Sequence, residues 1–388
     1  MKAVVLQAEW SPRPTATIAP EDADRRWAFN ASTAYRLPVA SLDDVPDPSA
    51  PGPHEVVLQV GACGICGSDV HMFETDADGY VLLPYHLRTP VVIGHEFSGR
   101  IVDVGREVKE LSIGEVVAVE EIQWCGRCRE CRGGYWNQCR NIEDLGFTLD
   151  GGLAEFVKVD ARYCWSLDSV AQRYGSEDIA LEVGALTEPT SVAYEGMFTR
   201  AGGFKPGAAV AVFGAGPIGL ASMALASAAG AAQVFCIDPL PNRRALADEL
   251  GATMSVDPTA VDVDEVIRGA TRGIGAAMVV EASGNFPAVM SSVEDVAAVG
   301  GKLVIVGMDA RAAQLSFIRH QTKALSTYGT VGHSGSWDFP SVIALMGAGR
   351  INMERAITRR YPLAGLVSGI EETKERGEGK ILVKPHGM

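Results

Sequence analysis

The chain has 388 residues, about twice an ordinary domain, with 47% apolar and 21% charged residues, the profile of a two-domain globular protein and not of a disordered one. Its formal net charge of −14 repels nucleic acid and acidic membrane surfaces. No apolar run approaches the roughly 18 residues of a bilayer span, and the opening MKAVVLQAEWSPRP has no signal-peptide core, so the expected setting is the cytoplasm, without nucleic-acid or membrane partners.

In chain order, residues 11–53 are Pro-rich with weak periodicity and read as an extended surface excursion. The runs HEVVLQVGACGICG, TPVVIGHEFSGRIVDVG and GEVVAVEEI follow, β-branched and separated by Gly, Pro and Asp, and predict a compact β domain. They carry Cys66, Ser68, Asp69 and His71 in one stretch and His95-Glu96 in the next; Glu188-Pro189 comes much later. A thiolate, an imidazole and a carboxylate form a mixed set that holds zinc while leaving a position for water or a substrate oxygen. Taken singly, Cys66 or His95 reads equally well as core packing.

Cys125, Cys128, Cys131 and Cys139 fall within fifteen residues. In a reducing compartment four thiols on a tight loop read as a metal site before disulfides, and a closed tetrahedral set reads as structural zinc.

From about residue 205 the pattern changes. Ala209–Phe213, Gln233–Ile237, Met278–Glu281 and Leu303–Val306 are short continuous apolar runs, and Ile218–Ala229 and Asn242–Leu250 are helical patterns that each end at a glycine. Strands buried on both faces and alternating with helices predict a parallel sheet covered on two sides. Gly214, Gly216, Pro217, Ile218 and Gly219 sit between the first strand and a helix, and Asp238 follows Gly219 by nineteen residues. The glycines allow a tight turn, close approach of a diphosphate and close helix–strand packing, and the helix N-terminus offers N–H groups to the phosphates. The carboxylate at Asp238 accepts from both ribose hydroxyls and repels a 2′-phosphate, favouring NAD, although Arg243 and Arg244 just beyond it blur the point. Phe339–Met346 carries a further helical pattern, and Glu371–Lys380 reads as a solvated charged face.

The order of GICGSDVH, GHE, the four-cysteine lobe, EPTSVAYEG, GAGPIG and Asp238 resembles the zinc-containing medium-chain alcohol dehydrogenases, in the polyol branch that includes sorbitol and threonine dehydrogenases. The resemblance covers essentially the whole chain. It implies an α/β fold with a GroES-like β domain over residues 1–190, completed by 332–388, and a doubly wound Rossmann cofactor domain over 191–331. It implies NAD and two zinc ions per subunit. Cys66 and His95 match ligands of the catalytic zinc, with Glu96 or Glu188 as the third, and the four cysteines match the structural zinc. Ser68 matches the hydroxyl that contacts the substrate oxygen, His71 the outer end of its proton relay, and Asp69 the carboxylate that orients the zinc-bound histidine.

HMFETDADGY, GHSGSWDFPSVIALMGAG and the long N-terminal excursion are further similar to cyclitol dehydrogenases. That likeness implies hydride transfer between NAD and a secondary alcohol of an inositol-like ring, with Glu74, Glu96, Trp124 and His333 as candidates to face it. It also implies a homo-oligomer, dimer or tetramer, whose partner is a small-molecule polyol or cyclitol. The alternative within the class is a threonine- or sorbitol-type dehydrogenase. Outside it the rival is a zinc-stabilised cofactor-binding scaffold, which would need none of Ser68, Asp69 and His71.

Overall fold

The computed structural model describes every residue except Ala310, Ser334, Ser336 and Met388. The chain divides into two compact units. The first comprises Met1–Glu188, Arg359–Arg376 and the C-terminal segment from Ile381, and the second Pro189–Thr358 with Gly377–Lys380. The first boundary lies two residues from the expected one. The return to the first unit comes at Arg359 and not at 332. The reason is local anchoring: Asp338, fully buried at the start of the helix Asp338–Gly347, accepts the Thr199 hydroxyl at 2.8 Å, and Arg355 donates to the Glu249 carbonyl at 3.3 Å. Both partners belong to the second unit.

The main sheet of the first unit has seven strands, in the order Cys164–Ser166, Val116–Val119, Glu96–Val104, Glu55–Gly64, Lys380–Lys384, Ile357–Pro362, with Phe156–Asp160 also paired to Glu55–Gly64. Most of its β-branched residues are buried, Val56, Val57, Val60, Val116, Val117 and Val119 among them. The register pairs Cys63 with Phe97 and Gly64 with Glu96. The residues after Gly64 and those before Glu96 therefore meet at one end of the sheet.

The excursion runs largely over the surface, as expected, but part of it is regular structure. Tyr35–Asp44 is a ten-residue strand laddered along Lys2–Trp10, and Ala31, Ala34 and Tyr35 are fully buried. Pro38 hid this strand from sequence reading. Proline is tolerated because the strand lies at the edge of its sheet, where a missing N–H breaks no ladder.

In the second unit six strands run parallel in the order Met254–Val256, Gln233–Ile237, Ala209–Phe213, Ala276–Glu281, Ala297–Ile305, Ser326–Gly329. This is the expected doubly wound sheet, and the strand order reverses beside Ala209–Phe213, where such folds bind dinucleotides. No helix among the described residues is long and apolar enough to cross a membrane.

One ion triad, on a nearly buried Glu182, ties the returning strands to the first unit. Arg360 grips Glu182 through both carboxylate oxygens at 2.7–3.0 Å, and Lys384 adds a bond at 2.9 Å. Burial alone would raise the Glu182 carboxyl, but the two cations hold it below its ordinary value. A depressed folded-state value means stability that is present above the unfolded value and lost as pH falls through the folded one. Glu182→Gln is expected to lower the melting temperature at pH 7 and to flatten its decline between about pH 5 and pH 3. Thermal melts of both proteins across that range check it, and parallel curves would exclude the triad as a source of acid sensitivity.

Candidate metal and dinucleotide sites

Beyond the strand Glu55–Gly64, the Ile65 amide donates to the Ile381 carbonyl at 2.9 Å, and the helix Gly67–Phe73 begins with Cys66 as its N-terminal cap. The Cys66 amide donates to Asp69 Oδ2 at 2.8 Å, so a single carboxylate closes the start of the helix. Just before the neighbouring strand, Gly94 has φ +92°, and a Cβ there would meet Cys63 Sγ at 2.8 Å and the Leu153 amide at 2.9 Å. Only glycine lets His95 and Glu96 come this close.

The outcome is a compact donor set. The ligand atoms of Cys66, His95 and Glu96 lie within 4.8 Å of one another. His95 Nε2 is 3.4 Å from Ser68 Oγ, and His95 Nδ1 is 3.6 Å from Asp69 Oδ1. The second distance is slightly long for a hydrogen bond, and neither atom makes another one. Burial opposes a charge on His95, but Asp69 and Cys66 outweigh it and push the ring well above its ordinary value. An imidazole with a carboxylate at one nitrogen and a thiol and a second carboxylate close by is a place for a cation. One thiol, one imidazole and one carboxylate fit zinc with a position left open, and Asp69 is placed to hold the His95 Nδ1–H.

Glu188 does not join that triple. Its carboxylate lies within 4.8 Å of Glu121 and shares a hydrogen bond with it. Sequence reading passed over Glu121. Burial, then Asp144, raises it to about 8, against the opposing effect of His95. The available signal was an acidic pair, Glu120-Glu121, closing the apolar run VVAV, since buried carboxylates need a partner or a function. Tyr85 was also missed, and the carboxylates around it are described below.

The remaining candidates separate. His71, a third exposed, is paired through Nδ1 with Glu74 Oε2 at 2.9 Å, which accounts for Glu74. Trp124 stacks on Trp136 at 5.4 Å and meets Tyr163 edge-on at 5.6 Å, so it packs within the cysteine lobe. His333 lies in the second unit, buried against Phe339 at 4.7 Å; Ser334 and Ser336 of the same stretch lie outside the described residues.

In that lobe the Sγ atoms of Cys125, Cys128, Cys131 and Cys139 all lie within 4.8 Å of one another, with Cys128 at 3.4 Å from Cys131 and 3.8 Å from Cys139. Four bonds of about 2.3 Å to a central zinc give a tetrahedral edge of about 3.8 Å. Backbone N–H groups donate to Cys125, Cys128 and Cys139 at 3.3–3.5 Å. The Arg127 amide leads the groups that pull the Cys125 thiol down, to about 6. No disulfide links any of the eight cysteines.

At the glycine turn, Gly216 caps the helix Pro217–Ala228, with Pro217 in its first turn and Ile218 accepting the Ser222 hydroxyl at 2.8 Å. A Cβ at Gly219 would lie 1.9 Å from the Gly214 carbonyl, so helix and turn touch backbone to backbone. Asp238 is buried and clamped to the turn: Oδ2 accepts the Ala215 amide at 2.7 Å and Oδ1 the Leu240 amide at 2.8 Å. Each oxygen keeps a lone pair for a ribose hydroxyl. The two arginines differ. Arg244 donates to the Asp238 carbonyl at 2.7 Å and pairs with Asp257 at 3.2 Å. Arg243 Nη1 lies 3.8 Å from where a Cβ on Gly216 would stand, beside the phosphate turn.

Known proteins resemble the chain along its whole length. Residues 52–169 match the alcohol dehydrogenase GroES-like domain, and residues 217–348 the zinc-binding dehydrogenase family. Scyllo-inosose 3-dehydrogenase of Thermotoga maritima is 41% identical, over 99% of this chain and 98% of that protein. A solved structure described as an alcohol dehydrogenase from Thermotoga maritima matches with TM-score 0.94 and 38% identity over 99% of both chains. Another, described as a zinc-binding dehydrogenase from Sinorhizobium meliloti bound to NADP, matches with TM-score 0.78 and 30% identity, over 92% of this chain and 99% of that one.

The two thiol sites should respond differently to substitution. Cys131→Ser is expected to lower thermal stability and to abolish binding of one metal ion, because binding free energy at a closed site is folding free energy. Cys66→Ser should leave the melting temperature nearly unchanged. Melting curves with and without a chelator check this, and an equal loss from both variants would contradict the division of roles.

Proposed function

We propose, on the premise that this chain belongs to the zinc-binding medium-chain alcohol dehydrogenase family, that it transfers hydride between NAD and a secondary alcohol of a cyclitol, an inositol-like ring. The observation that carries the reading is the buried Cys66–His95–Glu96 set beside Ser68, in a chain that also carries a glycine turn with a clamped aspartate. The chain is a zinc-containing dehydrogenase with GroES-like and Rossmann domains. The ring-shaped substrate draws support from the inosose dehydrogenase relative and from the number of buried carboxylates near His95. Threonine- and sorbitol-type readings use the same chemistry and fit less well.

In this reading Cys66 and His95 hold the catalytic zinc with Glu96, Glu188 stands by to exchange with Glu96, and the four cysteines hold a second ion. Zinc, when bound, would supply Lewis acidity toward an alcohol or ketone oxygen, and NAD the hydride acceptor. The residues of the chain do the rest. Asp69 fixes the ring of His95. Ser68 Oγ takes the alcohol proton, and His71, three positions on along the same helix face, passes it to solvent. Glu74 keeps that imidazole oriented. Gly214, Gly216, Pro217, Ile218 and Gly219 receive the diphosphate with Arg243 beside it, and Asp238 takes the ribose hydroxyls. The eight cysteines without a disulfide support a reducing, cytoplasmic setting, and family membership supports a homo-oligomer.

Two experiments test the proposal. NAD should be strongly preferred to NADP in kcat/KM, and Asp238→Ala should narrow that gap by removing the repulsion of a 2′-phosphate. An unchanged ratio would move the discrimination to Arg243. In a panel of alcohols followed by NADH absorbance, an inositol should exceed cyclohexanol by roughly four orders of magnitude in kcat/KM, because a pocket built for hydroxyls is left with unpaired polar groups by an analogue lacking them. Comparable turnover of cyclohexanol would refute the cyclitol assignment and leave the zinc chemistry standing.

A further inference from the structure

The N-terminal excursion makes contacts that its composition did not announce. Ala28 and Leu87 exchange backbone hydrogen bonds at 3.0 Å, the Ala31 amide donates to the Tyr85 carbonyl at 2.9 Å, and the Ser32 amide to the Leu83 carbonyl at 3.1 Å. The excursion is thus bonded along the segment Leu83–Leu87. The Trp27 indole stacks on His86, with centroids 5.7 Å apart and planes 14° from parallel. Arg25 reaches Glu143 at 3.0 Å, next to Asp144.

These contacts converge on one buried carboxylate. Asp144 Oδ2 accepts both the Tyr85 hydroxyl, at 2.8 Å, and His86 Nε2. The second bond requires the proton on His86 Nε2. Asp144 is fully buried, and its strand pairs with the one that follows Glu121. The Tyr85 ring meets Phe147 edge-on at 5.2 Å, and Phe147 lies 4.8 Å from His95. Burial, then Asp144, Glu121 and Glu188, pushes the Tyr85 phenol well above its ordinary value, so it stays protonated. Because that proton goes to Asp144, the lone pairs of the Tyr85 oxygen remain as acceptors.

We propose that the excursion is part of the substrate site: Trp27, acting through His86 and Asp144, positions the Tyr85 hydroxyl to accept a hydrogen bond from a ring hydroxyl of the substrate. Tyr85 is the contact and Trp27 a positioning residue. A phenol is aimed by its ring plane and by the bond its own proton makes. Removing the indole frees His86 to turn, and Asp144 then loses one of the two donors that hold it.

The inference rests on a polyol substrate and is tested in the zinc-loaded, full-length enzyme with saturating NAD. Tyr85→Phe should raise KM roughly three- to tenfold, the usual worth of one hydrogen bond, with a smaller effect on kcat. Trp27→Ala should do the same, and Trp27→Phe should restore most of the loss by restoring an aromatic platform. The deciding measurement is the double variant: if Trp27 acts through Tyr85, Trp27→Ala adds little to Tyr85→Phe. Zinc content and melting temperature report any general damage. Amide exchange over Leu83–Leu87 should rise in Trp27→Ala, while the glycine turn stays protected. Multiplicative KM effects in the double variant, or no KM effect from Tyr85→Phe, overturn the inference. The cycle uses whichever polyol the wild type turns over best. A failed cyclitol assignment therefore appears in the wild-type ranking, and a failed inference in the ratio of variant to wild type.

Discussion

A group of acidic side chains is buried around one imidazole. Asp69, Glu96, Glu121, Asp144 and Glu188 are all 5% exposed or less, and Cys66 adds a thiol. Removing so many potential anions from water is costly unless protons, hydrogen bonds or a cation neutralise them. His95 answers part of this, a shared bond between Glu121 and Glu188 another part, and Tyr85 and His86 both bond Asp144 Oδ2. In the proposed function a cation held by Cys66, His95 and Glu96 would offset the remainder.

The scaffold serves that constraint. Gly64 opposite Glu96 in an antiparallel register brings the end of one strand to the start of the next, and Gly94 removes the Cβ that would keep them apart. The returning C-terminal segment closes the same sheet, with the Ile381 carbonyl taking the amide of Ile65 directly before Cys66. The ion triad of Glu182, Arg360 and Lys384 holds that segment in place. The excursion shares backbone bonds with residues on both sides of His86. A reactive site built from loops is as rigid as the bonds that hold those loops.

The second unit solves a simpler problem. Its sheet is parallel and buried on both faces, and its polar work is concentrated where the strand order reverses. Asp238 first serves the protein, accepting two backbone amides, and only then a ligand. An aspartate proposed to take ribose hydroxyls would therefore also shape the turn proposed to receive the phosphates. The two arginines, equivalent in sequence, divide between holding the strand end and flanking the turn.

Sequence by itself determined whatever depends on spacing along the chain. The cysteine lobe needs four thiols within fifteen residues, the glycine turn needs its glycines between strand and helix, and Cys66, Ser68, Asp69 and His71 share one short helix. The apolar runs sufficed for the parallel sheet because strands buried on both faces carry no other pattern. Tertiary structure alone decided what depends on residues far apart. Tyr85 meets Asp144 across 59 positions, and Trp27 reaches His86 across a comparable gap. Glu121 reads as one more acidic residue until the fold buries it beside Glu188 and His95, and Pro38 reads as a strand breaker until its strand is found at a sheet edge. The return at Arg359 rather than 332 was likewise settled by Asp338 and Arg355 finding partners in the second unit. Local motifs are legible because chain geometry fixes the neighbours of each residue over a few positions. Contacts between distant segments depend on how whole elements pack, and no single stretch of sequence encodes that.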